Sequence, residues 1–163
     1  MSERVEAKRV FSSPVHFLAF GLGAGLAPRA PGTAGSLVGV ALDALLRSAG
    51  ADWSIRLVVA LLFCVAGIGI CGASARRLGE HDHPGIVWDE IAGMMLVLVV
   101  APDGWRGMVF GFILFRVFDI LKPWPISVAD KKVSGGLGIM LDDVLAALFA
   151  MAAMTILLAT GII

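Results

Sequence analysis

The residues best suited to chemistry in this chain are carboxylates in adjacent pairs, with cations close by. Asp89-Glu90 and Asp142-Asp143 are the two pairs, and Asp119 lies between Arg116 and Lys122. All five acids offer oxygen ligands, the donor type that hard divalent cations, magnesium above all, prefer. Clustered carboxylates repel one another unless a cation sits between them. Sites of this kind usually hold a phosphate as well. Arg29, Arg116 and Lys122 would supply the balancing positive charge, arginine in bidentate geometry. The expected metal set is Asp89, Glu90, Asp119, Asp142 and Asp143, with magnesium as the cofactor. His83, just ahead of the first pair, is a candidate acid for the leaving group or a hydrogen-bond partner of the attacking water. His81 reads as a surface loop histidine, and no His-Cys cluster suggests zinc.

A second feature lies upstream. Residues 21–35 form a run rich in glycine and proline that cannot be a helix interior. Thr33, at its end, is placed to cap a helix that begins near Ala34. Gly32 and Gly35 would let backbone approach an anion at that helix start. Thr33 and Ser36 therefore join Arg29, Arg116 and Lys122 as expected phosphate contacts.

The elements that must position these groups are apolar. The 163 residues are 58% hydrophobic and only 16% charged, with mean hydropathy +0.90. Soluble domains sit near about 45–50% apolar and about 25% charged. The composition points to an all-α, polytopic membrane bundle in one domain. Zero net charge gives no support for nucleic-acid binding. Four to five apolar helices are expected, over 34–46, 57–75, 86–101, 108–121 and 144–163, with short turns at 50–54 and 102–105. Pro14–Phe20 reads as an interfacial helix, its His16 as packing, and residues 1–12 as a mobile tail. The first residues lack the pattern of a cleaved signal peptide, so insertion by the chain's own helices is expected. Cys64 and Cys71 read as packed thiols. Gly35/Gly39 and Gly107/Gly111 have the spacing that allows close helix contact.

Basic residues set the orientation. If all five runs cross, one side carries Arg4, Lys8, Arg9, Arg29, Arg76, Arg77, Lys122, Lys131 and Lys132, against Arg47, Arg56 and Arg106 on the other. The richer side is cytoplasmic. The glycine-rich loop, both acidic pairs and Arg116-Asp119-Lys122 then reach the same membrane face. A cation transporter would explain acids within apolar helices, but not the loop and the basic partners. A non-enzymatic lipid-binding subunit would not need both pairs.

Four ordered blocks carry a resemblance: Pro-Gly-Thr-Ala-Gly-Ser (31–36), Asp-His-Pro-Gly-Ile-Val-Trp-Asp-Glu (82–90), Phe-Arg-Val-Phe-Asp-Ile-Leu-Lys-Pro-Trp-Pro-Ile (115–126) and Gly-Gly-Leu-Gly-Ile-Met-Leu-Asp-Asp (135–143). Together they resemble the phosphatidylglycerophosphatase A family, over a stretch from about Pro14 to Ala147. The resemblance implies an all-helical, magnesium-dependent phosphatase of the bacterial inner membrane. Its lipid substrate would be phosphatidylglycerophosphate, hydrolysed to phosphatidylglycerol and phosphate, with the active site facing the cytoplasm. Asp89, Asp142 and His83 are the expected catalytic residues. Two routes stay open: water attack with a carboxylate as base, or a covalent aspartyl-phosphate on Asp89 or Asp142.

Overall fold

The computed structural model describes residues 5–80 and 83–161, so His81 lies outside the described residues. The described chain is helical, with no strand among those residues. Its elements are α1 (Ala7–Phe11), α2 (Pro14–Ala19), a 3₁₀ segment (Gly21–Leu26), α3 (Pro31–Ser48), α4 (Trp53–Leu78), α5 (Trp88–Val100), α6 (Trp105–Leu121), α7 (Ile126–Lys132) and α8 (Gly135–Ala159).

Helix α5 is the central post, and its sequence dictates that place. It is apolar on every side, and such a helix has no face to give to water. Ten of its residues are buried, from Trp88 and Asp89 through the unbroken stretch Ile91–Leu98. Helices α3, α4, α6 and α8 all pack on it. Glycines bring α3 in close: a Cβ on Gly35 would lie 2.7 Å from the Val87 side chain, and one on Gly39 would lie 2.8 Å from the Ile91 carbonyl. The expected close helix contact at this pair is present. At the other pair, Gly111 faces Leu98, whereas Gly107 accommodates the Pro102 carbonyl just upstream of its own helix.

The largest departures from expectation each have a local reason. Helix α3 starts at Pro31 and not near Ala34, because proline suits a first helical position. Thr33 therefore sits inside the first turn and is not the cap; Ala30, in the left-handed region at φ 47°, precedes the helix. The remaining open loop is short, since residues 21–26 are themselves 3₁₀. Helix α8 begins at Gly135, nine residues before the expected Val144. Its glycines read as loop residues, but Gly136 is there for contact: a Cβ would lie 1.9 Å from the Ile68 carbonyl of α4. Asp142 and Asp143 thus lie within a helix and do not precede one. The stretch expected as a mobile tail contains α1, whose Val10 is fully buried and whose Arg9 donates to the Arg77 carbonyl at 2.8 Å.

Among the described residues, only α4 and α8, with 26 and 25 residues, are long and apolar enough to cross a membrane by themselves. Helix α4 is bounded as its sequence directs. Asp52 caps its start by accepting from the Ser54 and Ile55 N–H groups, and Gly79 ends it in the left-handed region. Its outer face exposes Val58, Leu61, Leu62 and Val65, and α6 exposes Val109, Ile113 and Val117. Large contiguous apolar surface of this kind marks contact with a membrane or partner.

Helix α5 has 13 residues, about 20 Å at 1.5 Å per residue, well short of a bilayer core. Its last carbonyls would be orphaned inside the bundle. Two arginines satisfy them. Arg47 donates to Leu98 O at 2.7 Å and Ala101 O at 3.2 Å, and Arg56 donates to Leu98 O at 3.3 Å and Val99 O at 3.0 Å. Asp43 pairs with Arg47 at 2.7 Å and Arg56 at 3.1 Å, and Asp103 gives Arg47 a second carboxylate. Arg56→Met takes a donor from the Leu98 and Val99 carbonyls and one of Asp43's two cations, so it is expected to destabilise the protein by about 1–3 kcal/mol. Thermal unfolding in detergent measures it; an unchanged melting temperature would show that the arginine is not needed there.

His16 is buried between α2 and α4, with Nδ1 2.8 Å from Ser74 Oγ. Burial, then Arg9 and Arg77, lower its pKa below the ordinary histidine value. The native state then binds fewer protons than the unfolded chain in the window just below pH about 6.5. Stability present at neutral pH is therefore lost as the pH falls through that window. His16→Gln should flatten the slope of melting temperature against pH between about 7.5 and 5.5; an equally steep slope in the variant would assign it to other groups.

Candidate active site

Three helix ends and an inner turn of α8 meet in one cavity of about 280 Å³. Helix α5 brings Asp89 and Glu90 in its first turn, where acids complement the helix dipole. Helix α8 contributes Asp142 and Asp143. The last turns of α6 provide Arg116, Asp119 and, at the helix end, Lys122 in a left-handed conformation. The start of α3 closes the wall with Ala30, Pro31 and Gly32.

The five expected carboxylates divide into two kinds. Asp89, Glu90 and Asp143 each bring an oxygen within 4.8 Å of the others. Asp89 Oδ1, Glu90 Oε2 and Asp143 Oδ2 are buried with no hydrogen-bond partner among the described residues. Buried polar atoms without partners are rare and need an explanation. Three converging oxygens of this type fit a hard divalent cation. Asp119 and Asp142 line the same cavity but are engaged by cations. Arg116 donates to Asp119 Oδ2 at 2.5 Å, and Lys122 Nζ lies 2.5 Å from Asp142 Oδ2.

Lys122 also donates to Asp130 on α7 at 2.6 Å. Burial disfavours its charge, but the hydrogen bonds to Asp130 and Asp142 override that and hold its pKa above the ordinary lysine range. Two glycines set the spacing of the site. A Cβ on Gly32 would lie 2.1 Å from Glu90 Oε1, and one on Gly93 would lie 2.7 Å from the Phe115 ring and 3.2 Å from the Asp143 carbonyl.

Residues 17–158 match the profile of a family described as phosphatidylglycerophosphatase A. The chain belongs to that family. It is 42% identical over 136 residues to a phosphatidylglycerophosphatase A of Escherichia coli, covering 83% of this chain and 78% of that one. It is 43% identical over 152 residues to one of Haemophilus influenzae, covering 92% and 93%. A Bacteroides thetaiotaomicron protein, provisionally named a phosphatidylinositol-3-phosphatase, is 37% identical over 137 residues, covering 80% of this chain and 84% of that one. No solved structure matches this chain.

Within this member of the phosphatidylglycerophosphatase A family, the other expected site residues are placed as follows. Ser36 is fully buried behind the cavity wall; its hydroxyl donates to Gly32 O at 2.9 Å and accepts from Arg116 at 3.5 Å. It braces the arginine and the helix start and does not line the cavity. Thr33 is half-buried in the first turn of α3, and Arg29 is exposed in the loop before it. Neither lines the carboxylate cavity. His83 is buried, accepts the Gly85 N–H on Nδ1 at 2.9 Å, and lines an adjoining cavity. Asp130 and the spacer glycine Gly93 lay outside the expected site residues, and Gly32, expected to admit an anion, makes room for the Glu90 carboxylate. Asp130 gives no sequence signal apart from its position in a polar stretch, because its role depends on the fold of α7.

Proposed function

We propose that this chain is a magnesium-dependent lipid phosphatase that hydrolyses phosphatidylglycerophosphate to phosphatidylglycerol and phosphate at the cytoplasmic face of the bacterial inner membrane. One observation carries the reading: the unpartnered, buried oxygens of Asp89, Glu90 and Asp143 share a single cavity with Arg116 and Lys122. Family membership supports the phosphatase activity, and the names of the Escherichia coli and Haemophilus influenzae relatives support the substrate. The apolar outer faces of α4 and α6 support a membrane location. The distribution of Lys and Arg supports the orientation.

Asp89, Glu90 and Asp143 would hold the cation. Bound there, it supplies Lewis-acid stabilisation of the phosphoryl oxygens and of the attacking nucleophile. The protein groups do the rest. Lys122 is held at the rim by two carboxylates, and a third N–H of its ammonium remains to meet a phosphate oxygen. Arg116, fixed by Asp119 and Ser36, sets a second positive charge beside the phosphate. The first turn of α3 adds the positive end of a helix dipole. Asp142 faces the same cavity and is the candidate base. The lipid's acyl chains stay in the bilayer while the headgroup enters between the helix ends.

The test is phosphate release by purified protein in detergent from phosphatidylglycerophosphate, phosphatidic acid and phosphatidylinositol-3-phosphate, with magnesium or with chelator. Release from the first lipid, restored by magnesium after chelation, is expected. Release unaffected by thorough chelation would sink the metal assignment, and indifference among the three lipids would sink the substrate assignment.

A further inference from the structure

The carboxylate cavity has an apolar lip. Ile120 lines the cavity and is nevertheless 67% exposed, so it stands at the mouth. It lies one helical turn beyond Arg116, which lines the same cavity. The side of α6 that faces the cavity and the side that faces outward therefore meet along the line from Arg116 to Ile120.

The outward side is a continuous stripe. Val109, Ile113, Val117 and Ile120 recur at helical spacing, and all are exposed. That spacing keeps them on one face. Leu121, 72% exposed, and Trp124, 79% exposed, carry the stripe past the helix end. Lys122 comes between these two in the chain but reaches into the cavity, where it meets Asp142. A tryptophan at the end of an apolar stripe suits the boundary between hydrocarbon and headgroups. One helix end thus sets cations on its inner side and hydrocarbon on its outer side. That polarity is complementary to one kind of ligand, a phosphate joined to long acyl chains.

We infer that the substrate lipid enters sideways from the bilayer along α6, over a lip made by Ile120, Leu121 and Trp124. The acyl chains lie against the stripe while the phosphate passes Arg116. The inference rests on the lipid-phosphatase reading above and adds the direction of entry and the residues that set it. Leu121 and Trp124 are positioning residues. Contact between two apolar groups within a lipid phase brings no hydrophobic gain, so the lip adds little affinity for the tails. It keeps the mouth level with the hydrocarbon boundary, so that a bound lipid need not expose its chains to water. A polar lip would hold water there, and the cost would fall on substrates that carry acyl chains.

The experiment gives full-length protein in detergent two substrates: phosphatidylglycerophosphate, and the same molecule stripped of both acyl chains. Wild type is expected to favour the acylated form by about 10²-fold or more in kcat/KM, because binding of remote parts of a substrate is used at the reacting centre. In the double variant Leu121→Gln, Trp124→Gln that ratio should fall by about tenfold, through KM for the acylated lipid. The apolar pair Leu121→Met, Trp124→Phe should restore the wild-type ratio. Both positions are exposed, so neither pair removes core packing. Equal use of the two substrates by wild type overturns the inference. So does a glutamine pair that slows both substrates equally or leaves the ratio unchanged. A glutamine pair that lowers the oligomer mass by light scattering, with the ratio intact, would assign the stripe to contact with a second copy and overturns it too. If neither substrate releases phosphate, the underlying reading fails and the inference with it, an outcome distinct from equal turnover.

Discussion

Asp143→Asn is expected to abolish phosphate release while leaving the protein as stable as before, or more so. The same holds for Asp89→Asn. The two halves of this expectation have one cause. Asp89, Glu90 and Asp143 gather their oxygens within 4.8 Å, and one oxygen of each is buried with no hydrogen-bond partner among the described residues. Without a cation, this arrangement is a cost of folding, because like charges at short range in a poorly polarisable interior repel strongly. Replacing one carboxylate with an amide of the same shape removes part of that repulsion. On the proposed reading it also removes a metal ligand. The stabilisation a bound metal gives to a phosphoryl transition state is several kcal/mol, which corresponds to about 10³-fold or more in rate. Calorimetric titration with magnesium or manganese, beside melting curves in the presence of chelator, separates the halves. Lost activity together with a lowered melting temperature and intact metal binding would mean that the cluster is structural.

Gly32→Ala should lower activity by about 10²-fold with little change in stability, because a displacement of about 1 Å at a reacting centre has effects of that size. Gly32 is in the first turn of α3, where alanine is tolerated by the backbone. The added methyl would meet Glu90 Oε1 at 2.1 Å and Arg116 at 3.2 Å. Both are ends of long side chains, which can swing aside without disturbing the bundle. What they cannot do is swing aside and keep their places around a cation and a phosphate. Activity assays with a magnesium titration check this: the apparent magnesium requirement should rise along with the loss of rate. A variant with wild-type kinetics would show that Glu90 has room to spare and is not a fixed ligand.

The sequence made the chemistry easier to read than the architecture. Paired acids and adjacent bases in an apolar chain were visible at once, because charge is expensive there and has few uses. What spacing did not reveal was how the five acids divide. Asp119 and Asp142 look identical to Asp89 and Asp143 in a list of residues. They differ only in having a cation opposite, and that depends on where α6 ends and α7 turns back. The glycines were misread for a similar reason. By propensity Gly135, Gly136 and Gly138 argue for a loop, yet contact with α4 outweighs propensity and extends α8 over them. Thr33 fell inside its helix because Pro31 moved the start upstream. Asp43 and Arg47 form an i,i+4 pair on α3 that spacing alone offers, but that Arg56 joins them and both arginines meet the last carbonyls of α5 is visible only once the neighbouring helices are in place.

That shortness has a bearing on how the enzyme lives with its surroundings. The post that carries Asp89 and Glu90 is wrapped by its neighbours and fastened at its far end by protein groups alone. When acyl chains lengthen or shorten, the strain of matching falls on the outer helices, which can tilt. On the proposed reading, the depth of Asp89 and Glu90 would thereby be insulated from the changing thickness of the lipid around them.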